Sequence, residues 1–72
     1  MLVGKISRGQ RERLMVTLVN VKGTKVVDLR VYNIMQDGEL APTPGGVSLH
    51  LDQVDTVIEL LKEAKKKAGE NG

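Results

Sequence analysis

Basic side chains in the first half of the chain are the residues best suited to bind a ligand. They are Arg8, Arg11, Arg13, Lys22, Lys25 and Arg30. Residues 1–36 carry seven basic and two acidic residues, a net charge of +5, whereas residues 37–72 carry four basic and seven acidic residues, a net charge of −3. Arginine and lysine bind phosphates and release counterions, so this asymmetry favours contact with a nucleic-acid backbone. The alternative is that the charges only keep the edges of a small sheet soluble.

Residues of the types that catalyse reactions lack the partners that catalysis needs. His50 lies close to Asp52, but no serine has the context of an activated nucleophile, and the sequence has no cysteine. We interpret His50 as the start of a helix, where Gln53 can bond back to the cap. The Gly45-Gly46 pair lacks the lysine and the strand-helix order of a phosphate-binding loop. We therefore expect no enzymatic activity, no small-molecule substrate, no cofactor and no metal.

Four extended segments are predicted before a helix. Alternation of apolar residues and β-branched content indicate strands over residues 1–6, 13–22 and 25–35, with a tight hairpin at Gly23-Thr24. After the turn at 37–38, Pro42 and Pro44 predict a loop or a broken edge strand. Residues 46–49 are expected to form a short fourth strand.

The third segment has the clearest alternation. Val27, Leu29 and Val31 are predicted to share one face of the sheet, and Val26, Asp28, Arg30 and Tyr32 to share the other. One face is then apolar and the other is wet. A surface ion pair with Asp28 is the alternative to a phosphate-binding role for Arg30.

Residues 51–67 have the apolar spacing of a helix, with acidic residues early and lysines late, as the helix macrodipole favours. We expect one domain over residues 1–68 and a flexible tail over 69–72. The helix residues Leu51, Val54, Ile58 and Leu61 exceed what one sheet needs, so they predict a homodimer interface. In the alternative, a monomer divides this stripe between the sheet and solvent.

The length of the chain also favours a dimer. Seventy-two residues bury only about 60% of the surface that the unfolded chain exposes, and there is no disulfide to compensate. No apolar run approaches a membrane span, and the first residues do not read as a signal peptide. A cytosolic protein that does not enter membranes is therefore the default expectation.

Several segments occur in a familiar order. Arg13 and the run LMVTLVNVKG are followed by VVDLRVY, DGE, a proline-bearing loop, GVSL and Gln53. This order resembles the single-stranded-DNA-binding domain of the positive cofactor four family, the p15-type transcriptional coactivators. The resemblance implies an α+β fold, in which a curved four-stranded antiparallel sheet precedes one C-terminal helix (ββββα). It also implies a homodimer whose two-chain groove holds unpaired nucleic-acid strands.

The sequence departs from the family pattern at three surface positions. Val21 and Asn33 stand where the family often has aromatic residues, and Gly45 stands where it tends to have lysine. Tyr32 is the one aromatic residue, so base stacking should contribute less than charge.

The sequence thus predicts a transcription coactivator-like protein that binds single-stranded DNA or RNA without sequence preference, in transcription, replication or repair. The predicted contacts are the six basic residues above and Tyr32. The alternative is a dimeric protein-protein interaction module whose nucleic-acid binding is weak or lost.

Overall fold

The computed structural model describes residues 1–71. Four strands, β1 (Leu2–Ser7), β2 (Glu12–Val21), β3 (Thr24–Ile34) and β4 (Leu40–His50), precede the helix α1 (Leu51–Asn71). The strands form one antiparallel sheet in the order β1-β2-β3-β4, so each connection is a hairpin between neighbours. The predicted α+β class and its ββββα order are therefore confirmed.

The turn between β2 and β3 is a two-residue hairpin. Val21 pairs with Thr24, and both central residues have positive φ, 51° at Lys22 and 84° at Gly23. Positive φ at both positions is the backbone of a type I′ turn, whose twist matches that of the flanking strands. The turn thus lies one residue earlier than predicted, and it presents the Lys22 side chain at the tip of the hairpin.

The register of the three hairpins sorts the side chains onto two faces, because directly paired residues lie on the same side of a sheet. We call one the apolar face, and it consists of Ile6, Leu14, Val16, Leu18, Val27, Leu29, Val31, Val47 and Leu49. We call the other the polar face, and it includes Lys5, Ser7, Arg13, Met15, Thr17, Val26, Asp28, Arg30, Tyr32 and Ser48. The predicted division of β3 between an apolar and a wet face agrees with this register.

Of the two alternatives predicted for the first half of β4, a loop or a broken edge strand, the structure has the edge strand. β4 runs as one strand through both prolines, with a break in register opposite the stretch from Arg30 to Tyr32. Prolines are tolerated there because β4 is an edge strand. The Thr43 hydroxyl donates a hydrogen bond to the Val31 carbonyl oxygen at 2.8 Å and accepts one from the Gly45 N–H at 3.1 Å. These bonds satisfy backbone groups at the break.

The helix begins as predicted and ends later. The Gln53 side-chain oxygen accepts a hydrogen bond from the His50 N–H at 3.1 Å, which confirms the expected bond back to the cap. The helix continues to Asn71, beyond the predicted end near residue 67, and Gly72 lies outside the described residues. The flexibility expected of residues 69–72 stays a prediction. One glycine costs a helix only about 1 kcal/mol, and the helix formers before Gly69 offset it.

The chain encloses almost no core of its own. Among residues whose side chains the structure describes, only Met15 and Val26 are buried, and no member of the apolar face is. The radius of gyration is 14.4 Å, against roughly 11 Å for a compact domain of this length. The accessible surface is 5857 Å², against roughly 4,400 Å² for a compact monomer of this mass. About 1,400 Å² of surface is therefore exposed in excess.

Gly46 generates a prediction because it lies against β3. A Cβ atom at this position would stand 2.5 Å from the Leu29 carbonyl oxygen and 2.9 Å from the Arg30 Cα. Gly46→Ala should therefore destabilise the protein by roughly 1–3 kcal/mol, since backbone must shift to admit the methyl group. Urea unfolding at fixed protein concentration measures the loss.

The matched control is Gly4→Ala, in a strand where an added Cβ meets nothing within 4 Å. This substitution should change the midpoint of urea unfolding little. Equal midpoints for the two variants would show that the close approach at Gly46 does not constrain the fold.

Candidate nucleic-acid interface

The exposed basic residues lie at the two ends of the sheet. Arg8 and Arg11 belong to the loop before β2, and this loop is tied to the end of β3 because the Ile34 N–H donates to the Arg11 carbonyl oxygen at 2.8 Å. Lys22 and Lys25 lie at the opposite end, at the β2–β3 hairpin. The ten residues of β2 separate the two groups by roughly 30 Å. A flexible polyanion would have to follow the sheet to contact both.

Further cations lie on the polar face between these ends. Lys5, Met15 and Arg30 form one cross-strand row, and Arg13 pairs with Tyr32 in the next. Lys5 was missing from the predicted contacts, although its position between apolar residues in β1 was a signal that it lies on the wet face. Lys25, by contrast, pairs with Asn20 in the register of the apolar face, so it belongs to the end of the sheet and not to this surface.

Arg13 supports the loop that carries two of the exposed arginines. Its guanidinium donates hydrogen bonds to the Gly9 carbonyl oxygen at 3.1 Å and to the Glu12 carbonyl oxygen at 2.8 Å. The side chain is half-buried. These bonds hold the loop against the start of β2, so Arg13 positions Arg8 and Arg11 as well as adding charge.

Arg30 is held by neighbours on the polar face. Its Nε and one Nη donate to the two carboxylate oxygens of Asp28, each at 3.1 Å, and its other Nη donates to the Thr43 carbonyl oxygen at 2.9 Å. Exposure of the side chain is 24% for Arg30 and 13% for Asp28. This bidentate geometry engages three of the five guanidinium N–H groups. The other two remain for a ligand.

Asp28 connects polar side chains of β3 and β4. It accepts a hydrogen bond from the Ser48 hydroxyl at 2.8 Å in addition to the pair from Arg30. The hydrogen bond from Arg30, helped by that from Ser48, holds the pKa of the Asp28 carboxyl below its ordinary value of 3.8, although burial acts in the opposite direction. Arg30 is therefore partly neutralised by a carboxylate that stays ionised at neutral pH.

The two positions at which this sequence lacks the family's aromatic residues lie on the surface. Val21 is 50% exposed beside the hairpin, and Asn33 is exposed near the other end of β3. Tyr32 is half-buried between Arg13 and Pro42, its partners in the ladder. A depression of about 450 Å³ adjoins the hairpin, lined by Val21, Lys22, Thr24, Val26, Ser48 and His50. The floor is apolar and Lys22 supplies a cation beside it.

Other kinds of site have no support in the described residues. Within 1–71, no group of three or more His, Cys, Asp or Glu residues is arranged to hold a metal ion. No helix in that range could span a lipid bilayer. The arrangement offers charge and shallow apolar surface for a ligand that is extended and anionic.

Sequence comparison defines the class of protein. The family model described as Transcriptional Coactivator p15 (PC4) matches residues 9–60, more than two thirds of the chain. The chain therefore belongs to the PC4 family. That membership indicates a PC4-like nucleic-acid-binding or coactivator role. No curated protein matches the chain significantly.

Structural comparison gives particular relatives. The fold is similar to two crystal structures of a PC4 homolog from Burkholderia pseudomallei, both 23% identical to this chain. The orthorhombic form has a TM-score of 0.87 and the match covers 90% of this chain and 88% of the homolog. The tetragonal form has a TM-score of 0.86, with coverage of 90% and 96%. The likeness establishes the open sheet followed by a helix.

The Asp28–Arg30 pair generates a pH prediction. A carboxyl whose pKa is lowered by folding contributes stability that is complete above its unfolded pKa and is lost as pH falls through the folded pKa. Asp28→Asn should therefore lower the free energy of unfolding at pH 5–7. The difference from the parent should shrink as pH falls below about 4, because the carboxyl of the unfolded parent chain protonates there before that of the folded chain. Denaturant titrations across this range measure it.

Asp55→Asn is the control, because it removes an exposed carboxylate without an ion pair in residues 1–71. Its effect at pH 7 should be much smaller. A loss in Asp28→Asn that persists unchanged at pH 3 would contradict the ionic role of this pair.

Proposed function

We propose that the protein binds single-stranded DNA or RNA without sequence preference, in transcription, replication or repair. The observation that carries this proposal is the alignment of cations along the polar face and at both ends of the sheet, within a chain of the PC4 family. Phosphate contacts give binding without reading the bases, because they recognise the backbone. The protein acts without enzymatic chemistry, and its expected location is the cytosol.

We further propose that the binding unit is a homodimer. The nine residues of the apolar face remain exposed or half-buried in one chain, and exposed apolar residues on α1 add to them. The excess surface of about 1,400 Å² exceeds the roughly 800 Å² per partner of a standard protein interface. A second copy would cover this apolar surface with the same apolar surface of its own.

A dimeric protein-protein interaction module is the second candidate. Two observations favour it: Asp28 neutralises part of the charge on Arg30, and the exposed positions 21 and 33 lack rings for stacking. In that case the cations only maintain solubility. The two candidates differ in how binding to an oligonucleotide depends on salt.

The first test removes the hairpin cations. Lys22→Ala combined with Lys25→Ala should weaken binding to oligothymidine, because two exposed ammonium groups are lost. It should also reduce the slope of log K against log salt by roughly one to one and a half, since each single-strand phosphate contact contributes about 0.7. Fluorescence anisotropy at several salt concentrations measures both quantities.

Lys66→Ala combined with Lys67→Ala is the matched control, because it removes the same charge from the end of α1. Its slope should equal that of the parent. If the hairpin and helix variants lower the slope equally, binding responds to net charge alone and the proposed surface is wrong.

The second test restores a stacking platform. Val21 is half exposed beside Lys22, so Val21→Phe places a ring next to a phosphate-binding group. Base stacking on an aromatic residue contributes about 1–3 kcal/mol, so single-strand affinity should rise roughly tenfold or more. A titration at low salt with an unstructured oligonucleotide measures the gain.

Val3→Phe, at a comparably exposed valine on β1, controls for added hydrophobicity. It should leave the affinity unchanged. The interaction-module candidate gains support if Val21→Phe folds as the parent does and binds no more tightly than Val3→Phe.

A further inference from the structure

One carboxylate interrupts the cations of the polar face. Glu12 and Asp28 are the acidic residues of the strands within residues 1–71, and only Asp28 has the register of the polar face. Along β3, Asp28 lies between Arg30 and the β2–β3 hairpin. A nucleic-acid strand that follows the sheet from one basic end to the other therefore passes a negative charge near the middle of β3.

Asp28 is fixed in place by β4 as well as by Arg30. Ser48 is its partner across the sheet, and the Ser48 hydroxyl donates a hydrogen bond to one carboxylate oxygen at 2.8 Å. The Asp28 side chain cannot turn away from Arg30 without losing these bonds. The carboxylate stays ionised at neutral pH, because the hydrogen bonds from Arg30 and from Ser48 lower its pKa. A lasting negative charge therefore stands beside Arg30.

Asp28 takes up one of the two edges on which a guanidinium offers paired N–H groups. It accepts hydrogen bonds from Nε and from one Nη of Arg30, each at 3.1 Å. The Thr43 carbonyl oxygen accepts one from the other Nη at 2.9 Å. One N–H group is left on each Nη. A backbone phosphate therefore has no access to the edge that includes Nε, which is the edge that Asp28 holds.

A phosphate that approaches the rest of the guanidinium is also repelled by Asp28. A guanidinium holds an anion at about 4 Å or less, so two anions on the same guanidinium lie within about 8 Å of each other. The Debye length at physiological ionic strength is also about 8 Å, so salt screens this repulsion only in part. The attraction of Arg30 for a phosphate is thus reduced by competition and by like charge.

We propose that Asp28 limits the affinity of the polar face for single-stranded nucleic acid, because it holds Arg30 in place of a backbone phosphate. The inference rests on the proposed nucleic-acid binding and assigns to Asp28 the role of setting its strength. In the parent chain a strand gains little from Arg30, and the exposed cations supply most of the affinity. Without the carboxylate, Arg30 becomes a full phosphate contact.

The alternative is that Asp28 orients Arg30 so that the guanidinium meets a phosphate productively. Loss of the carboxylate then misplaces Arg30 and weakens binding. A role in stability alone also gives no gain in affinity when the pair is broken. The direction of the change in affinity therefore distinguishes the proposed role from both of these.

The experiment neutralises Asp28 in the full chain. Asp28→Asn removes the charge with little change of shape, and its affinity for oligothymidine should rise about threefold or more, because like charges at this separation repel even in water. The slope of log K against log salt should steepen by up to about 0.7, the contribution of one single-strand phosphate contact. Fluorescence anisotropy at several salt concentrations measures both. Asp28→Thr, a neutral residue that favours strands, repeats the measurement in a second fold background.

Two further variants serve as controls. Asp55→Asn removes the same charge from α1 and should leave the affinity and the slope close to those of the parent. Asp28→Asn combined with Arg30→Gln removes the pair without changing the net charge. It should cancel the gain, because the new phosphate contact is Arg30 itself. Circular dichroism and urea unfolding check that each variant is folded under the binding conditions.

The outcomes separate this inference from the function on which it rests. Tighter binding by Asp28→Asn that the double variant cancels supports the inference. Unchanged or weaker binding by the folded Asp28 variants overturns it and leaves the proposed nucleic-acid binding in place if the parent binds. An equal gain with Asp55→Asn also overturns it, since net charge would then explain the effect. If neither the parent nor an Asp28 variant binds oligothymidine at low salt, the proposed function and this inference are both wrong.

Discussion

The structure depends on one constraint, which is that a single chain supplies a two-sided sheet and only one helix to cover it. A sheet of four strands has two faces, and burying apolar surface against another layer is what stabilises such a sheet. Here the helix contacts β3 and β4, and only Met15 and Val26 are buried among the described side chains. The register places apolar residues on one face and polar residues on the other. The uncovered apolar face and the wet surface thus have the same origin in the alternation of β3.

Arg30 shows how the wet surface also serves the fold. Its bonds to Asp28 and to the Thr43 carbonyl oxygen connect β3 to the irregular part of β4. The close approach of Gly46 to the backbone of Arg30 completes this connection, because any side chain there would push the two strands apart. Arg30, at the centre of the polar face, is therefore held in one place by its hydrogen bonds, and Asp28 partly neutralises its charge. Its contribution to binding depends on the two donors that Asp28 and Thr43 leave unused.

The sequence was sufficient to predict the features that follow from local periodicity. Period-two alternation identified the faces of β3, and the spacing of apolar residues identified α1. The path of β4 was not predictable, because the side-chain bonds of Thr43 that accommodate Pro42 and Pro44 depend on the distant residue Val31. The sequence indicated only a surface ion pair between Arg30 and Asp28. The partial burial of that pair depends on the path of β4, which the sequence did not predict. Lys5 was missed because a single charge in a short strand gives little indication of its partners across the sheet.

The same geometry limits how strongly charge alone can hold a nucleic acid. Arg13 is engaged by loop carbonyl groups and Arg30 by Asp28, so five cations of the sheet and its loops remain without a side-chain hydrogen bond or ion pair within residues 1–71. These are Lys5, Arg8, Arg11, Lys22 and Lys25. At about 0.7 per phosphate contact, their combined salt slope for one chain cannot greatly exceed roughly 3.5. With one half-buried tyrosine to stack on, a single chain should bind a strand weakly at physiological salt. In the proposed dimer, two chains would present twice the cations to one flexible strand, and the second contact would benefit from a raised effective concentration. Dimerisation would in this way supply the affinity that the missing aromatic residues do not.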